Sequence, residues 1–584
     1  MLKQKTTTTR FIFLVLPLTV FLISPNIHDV HGILRLIGLV VGTYLIFVLN
    51  PKGLVVKNKI QTLPWMLVLG YVIIQIIVGN DLQQFLLGSY TRNGGLIALA
   101  CFALTFTLIS NYQFSLSRIF IQTVIFTLYG LVVFGFLEEY SLLPFEITSN
   151  YNGALALTLV NPNFASSYLA IAMSVFVIYS AQLSNKKKLI SAIFAVPIFF
   201  IFIQTDSLQG YLLIVVNICL LIFYKRYVVL KVLRRFKLLI LFLVGTSSVF
   251  ILVNFPQIYS WIRENGSVNQ RINYWRLVVD IWRDHFFIGI GLESLRDYAP
   301  RYRSEALVRQ EGIFTNPDRA HNVFLDHFVQ GGLFIGLVWL VFILVISVLA
   351  LKTLLNKTQI LSATDFLIIM IWFGYVAQSA ISVDHLALTL LGIISGAIIV
   401  KDNMHDGILL KQGRERNFKN YPIVAVISTI TFSLVIFLGQ VVRYEFWALD
   451  VIVRKNSTNL QKIYNSKIVV PQTLEDVSVE ISKSKNFELA FTFAEKLLIH
   501  RPSSHQGFYI RSVYYENKSD LGLARENMLT ALKLDPYNSV YLLSMAIYEY
   551  KLNNLSAAKD FFLKAKDINP SQEGLDLVSQ YIMY

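Results

Sequence analysis

Cysteine is nearly absent from this chain. Only Cys101 and Cys219 occur among 584 residues, both inside apolar stretches. That excludes a disulfide framework and a Cys-x-x-Cys metal site. Charge is scarce as well: 15% of residues are Asp, Glu, Lys or Arg, against 55% hydrophobic. A soluble domain is roughly 45–50% apolar even when Gly is counted. The net charge is +15, but Lys and Arg sit between apolar blocks rather than on one soluble face, which argues against nucleic acid as a partner. No paired carboxylates or metal-spaced cluster call for a cation. No repeat relates the two halves of the apolar region, as lipid transporters tend to show.

What the sequence does have is apolar blocks about 17–25 residues long, the length that crosses a bilayer as a helix. About thirteen such spans are predicted, near 11–25, 32–49, 62–79, 95–110, 119–136, 163–181, 189–204, 208–224, 238–254, 323–351, 364–381, 385–400 and 421–440. Lys3, Lys5 and Arg10 precede the first. That pattern fits a signal peptide, but with so many spans following, an uncleaved first helix is expected. Short links that fall on one side hold Lys52, Lys57, Lys59, Arg118, Lys186–Lys188, a basic run at 225–237, Lys352, Lys357 and basic residues of 401–419. Short links on the other side hold only Arg92. The positive side is cytoplasmic, so the N-terminus is expected inside and residues 441–584 outside.

One outside loop, 255–322, is long. It has nine arginines, eight acidic residues and no lysine. Arginine presents a planar fork suited to phosphate or carboxylate; mutual pairing with the eight acids is the plainer reading. Beyond the last span, Pro502, Pro536 and Pro570 recur every 34 residues, and so do Ala490, Ala524 and Ala558. Thirty-four is the tetratricopeptide period. The predicted fold is all-α: a polytopic membrane domain over 1–440, a connecting helical segment over 441–485, and a tetratricopeptide-like array over 486–584. Such an array serves as a docking surface for a protein partner or as a rigid spacer.

Polar residues gather on the predicted outer face. Asn316 to His327 leads from the long loop into a span and offers Asp318, Arg319, His321, Asn322 and Asp326. Asn322, Asp326 and Gln330 share one helix face. Ionisable groups within a span usually face a polar cavity, although a single histidine there also reads as interfacial. Arg92-Asn93-Gly94, Asn161-Pro162-Asn163 and Ser207-Leu208-Gln209-Gly210 lie on the same side. The second of these also reads simply as a helix cap with proline in the first turn. Arg271 and Trp275 share a helical face, followed by Gly289-Ile290-Gly291.

Arg271-x3-Trp275, the Gly289-x-Gly291 run, His321-Asn322 opening a span, and Gly331, Gly332 and Gly336 together resemble the superfamily of O-antigen ligases, Wzy-type polymerases and bacterial protein O-oligosaccharyltransferases. Arg92-Asn93-Gly94 and Asn161-Pro162-Asn163 look like further motifs of it, and the resemblance covers roughly 80–400. It implies glycan transfer without a metal or other cofactor, from a polyprenyl-pyrophosphate carrier, expected to be undecaprenyl pyrophosphate, to a glycan, lipid or protein acceptor. It implies His321 as catalytic base and Arg271 as a pyrophosphate ligand. Gln209, Asn163 and Arg92, with Asp318, Arg319, Asn322 and Asp326, complete the expected substrate site. A family arginine that follows Ser in an outside turn is missing here, because Leu208 follows Ser207; Arg92 or another loop arginine is the expected substitute. The setting implied is the bacterial cytoplasmic membrane. A polymerase of lipid-linked units, a transporter of the same lipids and a non-catalytic anchor for the array are the competing readings.

Overall fold

The computed structural model describes residues 11–145, 153–226, 266–313, 315–356, 361–405 and 421–582. The predicted span at 238–254, the basic stretches 227–237 and 406–420, Lys357, Arg263 and the first ten residues lie outside them. Every regular element among the described residues is helical.

Among the described residues, nine helices are long and apolar enough to cross a membrane: 32–49, 59–78, 117–139, 162–180, 185–204, 323–355, 363–381, 386–403 and 422–452. Two shorter apolar helices, Leu96–Ser110 and Leu208–Tyr224, fall where spans are predicted. At 11–25 the structure has a 3₁₀ turn, Phe11–Leu14, and a short helix, Val15–Phe21. Side-chain chemistry sets the helix starts. Asn58 and Gln61 form a reciprocal capping box at Lys59–Val78, and Asn161 accepts from Asn163 N–H with Pro162 in the first turn. Small residues permit close packing within the bundle: a Cβ on Gly38 would lie 2.8 Å from the Leu18 carbonyl oxygen, and one on Gly42 2.5 Å from Val15 Cα.

The last membrane helix, Tyr421–Ile452, is a continuous 32-residue rod. It runs through the predicted limit at residue 440 and on into the C-terminal helices, packing on Pro471–Lys483. Six further helices follow as Phe487–His500, His505–Asn517, Leu521–Leu534, Ser539–Lys551, Leu555–Ile568 and Leu575–Ile582. Ala490, Ala524 and Ala558 are all buried between them. Pro502, Pro536 and Pro570 each fall in the turn after a helix, where a residue without an N–H ends the ladder.

The C-terminal helices are bolted to loops of the membrane domain. Arg303 donates to Asp535 at 2.7 Å, with both side chains buried. Arg501 pairs with Asp297 and with Glu475, the latter at 2.8 Å. His500 meets Asp81 at 2.8 Å. Glu445 accepts from Asp29 N–H at 3.2 Å and from the Thr473 hydroxyl at 2.8 Å.

Candidate functional site

The helix Gly266–Asp284 carries Arg271, and Tyr274 follows one turn on. Arg271 donates from Nη1 to Ser267 Oγ at 2.9 Å and from Nη2 to Gln209 Oε1 at 3.4 Å. Its Nε is buried without a partner. No carboxylate pairs with it among the described residues. Burial lowers its pKa, yet a guanidinium stays charged at neutral pH. The chain of contacts continues inward. The Gln209 amide donates to Ser167 Oγ at 2.8 Å, and Ser207 Oγ donates to Asn163 Oδ1 at 2.7 Å. Three segments distant in sequence, around 163, 209 and 271, therefore meet.

His321 stands between two residues whose backbones are fixed. Ala320 N–H donates to Asp326 Oδ1 at 2.8 Å. Asn322 caps the following helix, accepting from Phe324 and Leu325 N–H at 3.0 and 3.1 Å, and donates to the Ala380 carbonyl at 2.9 Å. His321 itself adopts φ 54°, a left-handed conformation that Asn, Asp and His accept more readily than most. Its ring centroid lies 5.5 Å from that of Tyr274. Burial, together with the positive charges of Arg92 and Arg271, lowers the imidazole pKa to about 4 against the opposing pull of Asp318. The ring is thus neutral at physiological pH, with both arginines close enough to act on it.

Arg92 grips Asp318 through Nε at 2.9 Å and Nη2 at 3.4 Å, and lies 5.6 Å over the Phe164 ring. Burial pushes the Asp318 carboxyl up, but Arg92 outweighs it and holds the group well below the usual carboxylate range. Asn93 donates to Asp29 Oδ2 at 2.8 Å, and Asp29 in turn accepts from Gly32 N–H at 2.8 Å. A Cβ on Gly94 would come within 2.8 Å of both Arg319 and Glu293. Arg319 forms a buried ion pair with Glu293, which also accepts from the Ser89 hydroxyl at 2.7 Å. The Arg92-Asn93-Gly94 turn therefore sits where three polar clusters meet.

The glycines of the long loop have a mechanical role. The helix Val323–Leu355 is broken at Gly332, with φ 65° and ψ −169°. The freed backbone groups bind the 286–291 strap: Leu333 N–H donates to the Phe286 carbonyl at 2.9 Å, Ile290 N–H to Val329 at 3.0 Å and Gly291 N–H to Gln330 at 2.9 Å. A Cβ on Gly289 would sit 2.5 Å from Gly332 N. The strap thereby ties the helix of Arg271 to the helix that follows His321.

Of the residues singled out in the sequence, His321, Arg271, Arg92, Asp318, Gln209 and Asn163 converge. Arg319, Asn322 and Asp326 lie beside them, engaged with Glu293, with a helix end and with the Ala320 backbone. Tyr274, Asp384 and His385 are additions. His385 accepts from Arg35 Nη1 at 2.9 Å and packs on Phe164 with centroids 4.9 Å apart. Asp384, whose pKa burial raises to about 6, lines an internal cavity with Arg92 and His327. Tyr274 was findable as the i+3 neighbour of Arg271, and Asp384-His385 as a polar pair between two apolar spans. Among the described residues no group of three or more His, Cys, Asp or Glu is placed to hold a metal.

Residues 191–341 match the family model Wzy_C, O-antigen ligase. The matched segment includes Gln209, Arg271, Asp318 and His321, and leaves Arg92 and Asn163 outside. A comparison with curated proteins gave no match.

Proposed function

We propose, from the match of residues 191–341 to the O-antigen ligase family model, that this membrane protein belongs to that superfamily and moves a glycan from a polyprenyl-pyrophosphate carrier to an acceptor hydroxyl. The observation that carries the reading is that His321 packs against Tyr274, on the helix of Arg271, while Arg92 from a third segment binds Asp318 three residues before the histidine. The reaction takes place on the outer face of the bacterial cytoplasmic membrane, with the N-terminus inside and the C-terminal tetratricopeptide-like array outside.

His321 is the base. It is neutral at physiological pH, so it can take the acceptor proton as the acceptor oxygen attacks the anomeric carbon. The bond from that carbon to the pyrophosphate oxygen breaks, the electron pair leaves with the pyrophosphate, and attack from the opposite side inverts the centre. Arg271 faces the leaving group without a carboxylate of its own. Fixed guanidinium charge in a partly desolvated site stabilises the charge that develops there. Arg92 uses Nε and Nη2 on Asp318, which orients its remaining edge. The first turn of the helix Pro162–Ser180 carries Asn163, which accepts from Ser207, and Phe164, which lies under Arg92, and adds the positive end of a helix dipole. Asn322 and Asp326 fix the backbone on either side of His321, and Arg319 braces the turn that bears Arg92.

The experiment is reconstitution of the purified protein with a lipid-linked oligosaccharide and a lipid, a glycan or a protein acceptor, scored for a new glycosidic bond. Bond formation that His321→Asn removes is expected. An absence of transfer to every acceptor, or unchanged transfer by the variant, overturns the reading. The acceptor that gains the glycan decides between ligation, protein modification and polymerisation.

A further inference from the structure

The nine arginines of the long loop and the C-terminal array are only partly accounted for by this chemistry. A cleft lined mostly by polar residues lies where the two regions meet. One wall comes from the membrane domain, with Gln84, Tyr90, Arg296 and Asp318; the other comes from the connecting segment, with Val470, Pro471 and Gln472, and from Arg501 of the array. Asp318 also belongs to the His321 site, so the cleft adjoins it.

Almost every polar group in the cleft already has a partner. Gln84 donates to the Glu293 carbonyl at 2.8 Å and to Asp297 at 3.1 Å. The Tyr90 hydroxyl donates to the His28 carbonyl at 2.6 Å. Gln472 donates to Asp476 at 3.1 Å and accepts from Arg501 at 3.1 Å. Arg501 is neutralised by Asp297 and Glu475, and Asp318 by Arg92. Arg296 differs. It is half-buried, and its guanidinium makes no hydrogen bond or ion pair among the described residues. The cleft therefore holds one planar, five-donor cation whose donors have no partner of their own, beside arginines and acids that pair with one another. What enters is selected by what it offers a guanidinium, and a carboxylate matches that fork in two parallel hydrogen bonds.

We propose that this cleft is a subsite for a carboxylate-bearing sugar of the glycan, with the connecting segment and the C-terminal array as its second wall. The proposal rests on the glycan-transfer reading for the identity of the ligand. A sugar suits the site better than the carrier lipid, because its lining is polar apart from Val470 and Pro471 and it lies at the junction with the array. The array is then a part of the substrate site as well as a docking surface.

The test is binding of free oligosaccharides to the full-length protein in lipid nanodiscs. The probes are a trisaccharide ending in glucuronic acid and its counterpart ending in glucose. The wild type is expected to hold the acidic probe about tenfold more tightly, the equivalent of about 1.4 kcal/mol. Arg296→Gln should erase that preference, and Arg296→Lys should keep only part of it. Val470→Trp, which fills the cleft from the connecting segment, should weaken binding of both probes. Equal affinity of the wild type for the two probes, or a preference that survives Arg296→Gln, overturns the subsite. Unchanged binding by Val470→Trp removes the connecting segment's wall from it. His321→Asn separates the two readings: it should stop transfer and leave the preference for the acidic probe intact.

Discussion

The arginines at the junction with the array and those around His321 are handled in opposite ways. At the junction Arg303 faces Asp535, and Arg501 faces Asp297 and Glu475; all are largely or wholly buried. Each of these cations carries its own counterion and its task is scaffolding. Arg271 is also largely buried, but its partners are a serine hydroxyl and a glutamine amide. Its charge is left for something that arrives. Arg92 lies between the two cases, paired through half of its fork with an acid that also acts on the histidine. Counting arginines in the loop would miss this division, because residue type is the same on both sides of it.

The comparison is sharpest where it is broken. Replacing His321 by Asn, which tolerates the same left-handed backbone, should lower transfer by about 10²–10⁴-fold, the usual worth of a general base, with the melting temperature little changed. Wild-type product from that variant would remove the base assignment. Arg303→Met leaves Asp535 as a buried, unpaired charge and should cost about 3–5 kcal/mol of stability, seen as a lower melting temperature and faster proteolysis of the C-terminal helices. Arg303→Met combined with Asp535→Leu should recover most of that loss; if the double variant is no better than the single, the pair is not the main bolt. Arg271→Lys keeps the charge and loses the fork, so kcat/KM should fall by about tenfold or more while stability stays near wild type. A stability loss as large as that of Arg303→Met would move Arg271 into the scaffolding class.

The smallest effect is on pH. His321 acts when unprotonated and its pKa is lowered to about 4, so kcat/KM should be flat across neutral pH and fall only as pH approaches that value. Asp318 is the group that raises the imidazole pKa. Asp318→Asn should therefore move the acid limb to still lower pH, and a limb displaced upward would contradict the placement of Asp318 beside the ring.

The helical frame was legible in the sequence because hydropathy registers burial in lipid directly. Twelve of the thirteen expected segments fall on described helical stretches, the other being 238–254. The short helix at 15–21 is the weakest of them, ended early before Ser24 and Pro25. The site was legible as a collection of outer-face residues and illegible as an arrangement. Gln209 meets Arg271 across 62 positions and Arg92 meets Asp318 across 226, separations at which no periodicity carries information. Asn322 and Arg319 show the complementary difficulty. A polar residue beside a histidine looks the same in sequence whether it faces a substrate, closes a helix end or neutralises Glu293. The glycines were visible as motifs, but their purpose, a strap laid against a broken helix, needed the backbone of both partners.

The Tyr421–Ile452 rod has a consequence of its own. At 1.5 Å per residue its 32 residues extend about 48 Å, so one stiff strut belongs to the bilayer at one end and to the array at the other. Side bolts at Asp81, Asp297 and Asp535 hold the array against the membrane domain. The headroom over the histidine is then set during folding, as in a caliper locked at one opening. On the proposed function, acceptors would be admitted by whether their hydroxyl reaches through that gap, and shortening or lengthening the strut by a helical turn would regauge it.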